Sequence, residues 1–302
     1  MTVVVVGNAM VDVAYQVERL PGSGETVLAR ERTVDVGGKG LNQAVIARRA
    51  GAEVRFCAGL GGDPAAGIIR ACLEAGGLST AWLVSMPCAT DESIVYVARA
   101  GENCIVSTDE AARHLAPTHT EGVLSGVAPG DVLLLQGNLS REVTGMCLAR
   151  AREAEATTIL NPAPIAFDYT GLWPMVDIAI LNQIEAQTLT GEVEIDTATA
   201  VLRSRGTGKV VVTLGPEGAL VQEELGLPQH VPAPAVTAVD TTGAGDVLAG
   251  VVAAGIDRGL PLLSAVRWAI AAASHKVTRR GTSSGFPTSD ELAALAPAMA
   301  LP

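Results

Sequence analysis

Asp240-Thr-Thr-Gly-Ala-Gly-Asp246 sets two carboxylates around a glycine turn, directly before a stretch with the pattern of a helix. Glycines at 243 and 245 let the backbone take positive φ and approach a ligand closely. The following helix points its free N–H groups and the positive end of its dipole back at this turn, which makes an anion site. Such a site suits the charge that develops on a phosphoryl group during transfer. Asp246, in the first helical turn, is placed to accept the proton of an attacking hydroxyl. The plainer alternative is a glycine-rich turn whose Asp caps its helix.

Other phosphate signatures fail. Gly206-Thr-Gly-Lys209 resembles the end of a Walker A loop, but Arg203 stands at the first-glycine position and Val210 where a metal-binding Ser or Thr is needed. Gly7 closes a first strand without the G-x-G-x-x-G of a dinucleotide fold. The five cysteines and four histidines are scattered without zinc-ligand spacing, so reduced, packed thiols are expected.

The elements that must position Asp246 follow from patterning. Hydrophobic residues make up 48% of the 302 but aromatics only 3%, so the core rests on Ala, Val, Leu and Ile. Such a core suits parallel strands buried on both faces. Strands are expected near 3–6, 54–58, 131–136, 158–160, 178–181 and 210–214. Helices are expected near 41–50, 64–75, 141–156, 244–258, 262–279 and 289–298. The alternation implies a parallel sheet covered on both sides, in one α/β domain spanning 1–302. Two stretches break the rhythm: 15–36, with its Pro21-Gly-Ser-Gly24 turn, and a hairpin over 93–107 around Ala100-Gly-Glu102. Together they are expected to form a small antiparallel sheet, a lid of about 13–36 and 92–108 over the carboxyl ends of the parallel strands.

A net charge of −11 argues against nucleic acid or an acidic membrane as partner, though not against a phosphate ligand held by backbone N–H groups. The N-terminal Met1-Thr-Val-Val-Val-Val-Gly7 lacks a charged leader and is too short to span a bilayer, so the cytoplasm is the expected compartment.

The 240–246 segment resembles the C-terminal signature of the ribokinase family, the PfkB-type carbohydrate kinases. Gly37-Gly-Lys-Gly-Leu-Asn-Gln-Ala44 is similar to the N-terminal signature. Between them, Asn161-Pro-Ala-Pro164, Asn182-Gln-Ile-Glu185 and Thr213-Leu-Gly-Pro-Glu-Gly218 match in order. The resemblance runs from Val3 to about Pro287, and it implies a ribokinase-like α/β/α fold with a small β lid and ATP-dependent phosphorylation of a small sugar.

Roles follow from the resemblance position by position. Asp246 would be the base, with the N–H groups of Gly243, Ala244 and Gly245 as the anion hole. Asp12, Gly38, Lys39 and Asn42 would hold sugar hydroxyls; the tight glycines admit the sugar to the backbone while Lys39 and Asn42 supply polar groups. Glu185 would organise hydrated Mg²⁺ near the phosphates of ATP, with Asn182 beside it; a capping box accounts for that spacing equally well, and both can hold. Thr213, Gly215 and Gly218 would begin the adenine pocket, although a plain strand-turn-strand explains them too. Many relatives hold a monovalent cation beside the anion hole. Here Asp240, the Thr242 carbonyl and the loop from Lys276 through Gly281 to Gly285 would hold K⁺. Some relatives carry a hydroxyl where this chain has Gly285, with Ser284 as a substitute.

Two departures bear on the acceptor. Met10 replaces an Asn two residues before Asp12, and Asn138 replaces a Glu. Both alter polar contacts to sugar hydroxyls, so a sugar or polyol acceptor is expected, ribose foremost. Arginines able to meet a sugar phosphate are limited to Arg30, Arg32 and Arg99. A non-catalytic sensor and a nucleoside kinase are the rival readings; intact Lys39, Glu185 and Asp246 oppose the first and nine aromatic residues oppose the second. Relatives dimerise through the lid, and the apolar residues Ile94, Tyr96, Val27 and Leu28 would either cover the sugar or pair with a second copy.

Overall fold

A computed structural model describes residues 1–99, 102–223 and 228–297. Ala100 and Gly101, expected at the hairpin tip, and Ala298, expected to end the last helix, lie outside the described residues. In chain order the strands begin with β1 (Thr2–Val6), β2 (Met10–Val17), β3 (Glu31–Gly37), β4 (Glu53–Cys57), β5 (Gly59–Leu60), β6 (Val84–Ser85) and β7 (Asp91–Ala98). They continue with β8 (Asn103–Ser107), β9 (Val132–Gln136), β10 (Thr157–Asn161), β11 (Ile178–Asn182), β12 (Lys209–Thr213), β13 (Ala219–Gln222) and β14 (Gln229–Val231). The first helices are α1 (Lys39–Arg49), α2 (Pro64–Ala75), α3 (Glu110–Arg113), α4 (Pro117–Leu124) and α5 (Arg141–Glu153). The rest are α6 (Gln183–Thr190), α7 (Ile195–Ser204), α8 (Ala244–Asp257), α9 (Leu262–Lys276) and α10 (Ser289–Leu295).

The main sheet runs β14-β13-β12-β11-β10-β9-β1-β4. Period-two alternation divides its side chains between two cores. Val3, Val5, Val132, Leu134 and Val211 join one, packed with α1, α8 and α9. Val4, Val6, Leu133, Leu135, Val210 and Val212 join the other, packed with α5 and α7. Buried on both faces, these strands form the layered α/β architecture that near-continuous Val and Leu runs call for. The all-parallel expectation needs one correction. β13 pairs antiparallel with β12, and β14 with β13, because a tight turn at Gly215–Gly218 folds the chain straight back.

The second sheet runs β3-β2-β7-β8. It too departs from expectation: β2–β3 and β7–β8 are antiparallel, but β2 and β7 run parallel, so the sheet is mixed. The first strands of the two excursions, β2 and β7, meet in parallel. In the pleat Asp12 pairs with Ser93 on one face, while Val13, Tyr15, Ile94 and Tyr96 share the other. Val13 is buried in the main core and Tyr15 packs against it. Ile94 and Tyr96 therefore turn away from the Asp12 side rather than covering it. Among the described residues, no helix is long and apolar enough to cross a membrane.

Candidate active site

The parallel strands end in polar residues. In register, Gln136 closes β9 beside Asn161 on β10, and Asn182 closes β11 beside Thr213 on β12. Helices α1 and α8 deliver the charged groups to this edge. They approach closely at Gly250, where a Cβ would lie 2.7 Å from the Gln43 carbonyl oxygen. One turn earlier on α8, Asp246 thus faces the first turn of α1.

Asp246 is 5% exposed, and both carboxylate oxygens are held. Asn42 Nδ2 donates to Oδ2 at 2.9 Å and Gln43 Nε2 to Oδ1 at 3.0 Å. Lys39 Nζ stands 3.9 Å from Oδ1. Gln43 extends the network, donating also to Asn161 Oδ1 at 3.2 Å and accepting at Oε1 from Gln136 Nε2 at 2.8 Å. Asn161 Nδ2 reaches the Ile180 carbonyl of β11 at 2.9 Å. Asn42 Oδ1, Gln136 Oε1 and Asn138 Oδ1 are buried acceptors without a protein partner, an arrangement that fits a ligand rich in hydroxyls.

The start of α1 rests on a strained turn. Gly38 has φ 94° and caps the helix, and a Cβ there would lie 2.9 Å from the Asn8 carbonyl oxygen. Asn8, also buried, accepts the Gly40 N–H at Oδ1 (3.2 Å) and the Leu41 N–H at its carbonyl (3.0 Å). Asp12 lies nearby on β2, across from Gly37 and Asp35. Burial first, and then the Asp35 carboxylate, push its pKa up to about 6.

At α8 the cap Gly243 has φ 78° and no side-chain capping bond. The Ala244 N–H is directed into its own turn, to the Thr241 carbonyl at 3.2 Å, whereas first-turn N–H groups in general lack an intrahelical acceptor. Asp240 gathers the flanking loop, accepting the Thr242 N–H at Oδ1 (2.9 Å) and the Gly281 N–H at Oδ2 (3.0 Å). Lys276, expected in the loop that would hold K⁺, sends its side chain inward. Nζ donates to the Asp240 carbonyl at 2.9 Å and lies 3.9 Å from Oδ2. Burial disfavours charge on Asp240, but hydrogen bonds from Thr242 and Gly281 and the Lys276 ammonium outweigh it and hold the pKa below the usual range. Burial lowers the Lys276 pKa, and Asp240 opposes that shift. A K⁺ ion on the Asp240 carboxylate would meet the Lys276 ammonium already 3.9 Å from it, and this like charge counts against the fit of K⁺; the carbonyl that Lys276 binds is Asp240's own, not that of Thr242.

On the nucleotide side, Asn182 and Glu185 form a reciprocal capping box, with bonds of 2.8 and 2.9 Å. Only Oε2 of Glu185 is engaged by it, and the carboxylate's other oxygen suits the water shell of a hard cation. Thr213, Gly215 and Gly218 lie on and beyond the end of β12, where the Leu214 N–H closes the turn on the Gly218 carbonyl at 2.8 Å. No hydrogen bond among the described residues ties this pair of strand ends directly to Asp246; the connection runs through Asn161 and Gln43. Gln43, Gln136, Asn161 and Asn8 were not among the expected site residues. The signal that would have found them is an amide at the end of an otherwise apolar strand or beside a signature glycine.

Residues 1–289 match the pfkB family of carbohydrate kinases. A ribokinase of Mus musculus is 32% identical over 300 residues, covering 96% of this chain and 93% of its own. A deoxyribokinase of Salmonella typhi is 28% identical, covering 96% and 97%. The structure of Arabidopsis thaliana ribokinase complexed with ribose and ATP superposes with a TM-score of 0.88 at 28% identity, covering 97% and 98%. With the two signatures brought together on Asp246 and the match spanning nearly the whole chain, the protein belongs to the pfkB family of carbohydrate kinases.

Proposed function

We propose that this kinase transfers the terminal phosphoryl group of ATP to the 5-hydroxyl of ribose. The observation that carries the reading is the Asp246 carboxylate, fixed by Asn42 and Gln43 at the N-terminus of α8. Asp246 accepts the proton of the sugar hydroxyl, whose oxygen forms a bond to phosphorus as the bond to ADP breaks. The N–H groups of Gly243 and Gly245 meet the charge that develops on the transferring group, the Ala244 N–H being turned to the Thr241 carbonyl, and Lys39 neutralises part of that charge. Asp12, Gly38, Lys39, Asn42 and Asn138 hold the other hydroxyls. Asn182, Thr213, Gly215, Gly218 and Gly245 line the ATP site, with Glu185 orienting Mg²⁺ through water. As an ATP-dependent enzyme of small metabolites it belongs in the cytoplasm.

A free sugar is favoured over a sugar phosphate because Arg30 and Arg99, just outside strands β3 and β7, both pair with Glu18. A nucleoside is disfavoured because Tyr15 and Tyr96 stack on each other, on the face opposite Asp12. Deoxyribose is the second reading, since Met10 and Asn138 alter the contacts that would count hydroxyls, and a deoxyribokinase is among the relatives. We further propose that the small sheet acts as a lid and as the contact of a homodimer. A coupled ADP assay over pentoses, deoxyribose, hexoses, polyols and nucleosides tests the reading, with the phosphorylated position assigned by NMR. Ribose should give the highest kcat/KM. Turnover confined to nucleosides, or with no sugar at all, would overturn it.

A further inference from the structure

Lys276 is the last residue of α9 and is 0% exposed. A buried ammonium is retained only where acceptors compensate for lost water. Here they are the carbonyl and carboxylate of Asp240, the first residue of the anion-binding turn. The same carboxylate ties Thr242, inside that turn, to Gly281, on the loop after α9. A fixed positive charge therefore stands at the junction of the two segments, on the first residue of the turn that the kinase reading assigns to the phosphoryl group.

A second feature matches it. At Gly285 a Cβ would lie 2.8 Å from the Arg280 carbonyl oxygen and 3.5 Å from Lys276 Cε. The loop that wraps the lysine stem leaves no room for a side-chain ligand at this position. A polar side chain is missing from the loop at the same place where a charged one enters it.

We propose that the Lys276 ammonium is a built-in monovalent cation. It takes over the task of a K⁺ ion at the Asp240 carboxylate, holding the 240–246 turn in its anion-binding conformation and freeing turnover from any need for K⁺. Lys276 is thus a positioning residue, acting through Asp240 and not on the substrate. The inference rests on the kinase reading of the neighbouring turn.

The test measures initial rates and thermal midpoints at constant ionic strength, replacing tetramethylammonium by potassium stepwise. The wild type should change by less than about twofold in rate and gain no potassium-specific rise in midpoint. Lys276→Ala should lose about 10²-fold in kcat without potassium, the scale of a weakened anion hole. Potassium or methylammonium should restore part of that rate and raise the variant's midpoint. Lys276→Met, which fills the space without charge, should lose as much and recover nothing. Wild-type activation of severalfold by potassium, or a Lys276→Met enzyme as fast as wild type in its absence, would overturn the proposal. If neither variant folds by circular dichroism, the wild-type titration alone decides. If no sugar is phosphorylated in any salt the kinase reading fails, while the midpoints still report whether potassium enters the site.

Discussion

Asp12 is a side chain of the candidate site whose charge the fold alters. Burial and the nearby Asp35 raise its pKa from 3.8 to about 6. Between those values the folded chain keeps a proton that the unfolded chain has released, so stability falls as pH rises through this window and stays lower above it. The penalty is on the order of 2–3 kcal/mol. Asp12→Asn should therefore raise the thermal midpoint by a few degrees near neutral pH and not near about pH 4. The same variant should raise KM for the sugar about tenfold or more, since it replaces charge-assisted hydrogen bonds. Wild-type KM should climb as pH drops below about 6 and the carboxylate is neutralised; a flat KM across that range would remove Asp12 from the sugar site. Asp246→Asn should lower kcat by about 10³-fold while calorimetry finds ATP bound as before. Asp246 was legible as a candidate because it follows a glycine turn at a helix start, a pattern that also suits a plain cap, and Asp12 only through the resemblance. The amides Gln43, Gln136 and Asn161 were not, since Asn and Gln titrate nothing and their role exists only once β9, β10 and α1 converge.

Placing Asp246 is the work of two helices meeting at a missing side chain. Adding a Cβ at Gly250 would bring it within 2.7 Å of the Gln43 carbonyl oxygen and 2.8 Å of Ile46 Cγ2, both on α1. Gly255 is matched sterically but faces α9, where the added atom would lie 2.7 Å from Ala265 Cβ. Both Gly→Ala substitutions should cost about 1–3 kcal/mol of stability by overpacking. Only Gly250→Ala should also depress kcat, because moving α1 pulls Asn42 and Gln43 away from Asp246. Equal kcat values for the two variants would mean that the α1–α8 contact does not set the base. Helices and buried strands were legible to within a few residues because apolar period and capping are local. The partner of a strand is not local. β2 and β7 each show the expected alternation, yet nothing in either segment specifies that they pair in parallel. β13 was read only as the return of a strand-turn-strand after Thr213, and the short edge strand β14 was missed.

At the scale of the whole molecule, the two sheets have different surroundings. The main sheet is covered by helices on both faces, whereas the small sheet ends in β8, whose five residues are all exposed. Ile105 and Val106 on that edge are 56% and 62% exposed, and Val34 and Leu28 on the β3 side are also open. An apolar edge strand is an aggregation hazard unless something pairs with it or covers it. A second copy of the same sheet would do both in a closed, two-fold arrangement. Asp35 on β3 accepts Ser283 Oγ at 2.6 Å and the Ser284 N–H at 3.3 Å, so the small sheet is tied to the loop that wraps Lys276. Contact between two small sheets would thus steady that loop from outside. The protein should run in light scattering at twice its 30.8 kDa chain mass. Ile105→Asp together with Val106→Asp should halve that mass and raise KM for the sugar, with the helical circular dichroism signal kept. A wild-type monomer would remove the dimer and leave the proposal for Asp246 standing, because Asn42, Gln43 and Lys39, which hold that carboxylate, belong to the same chain.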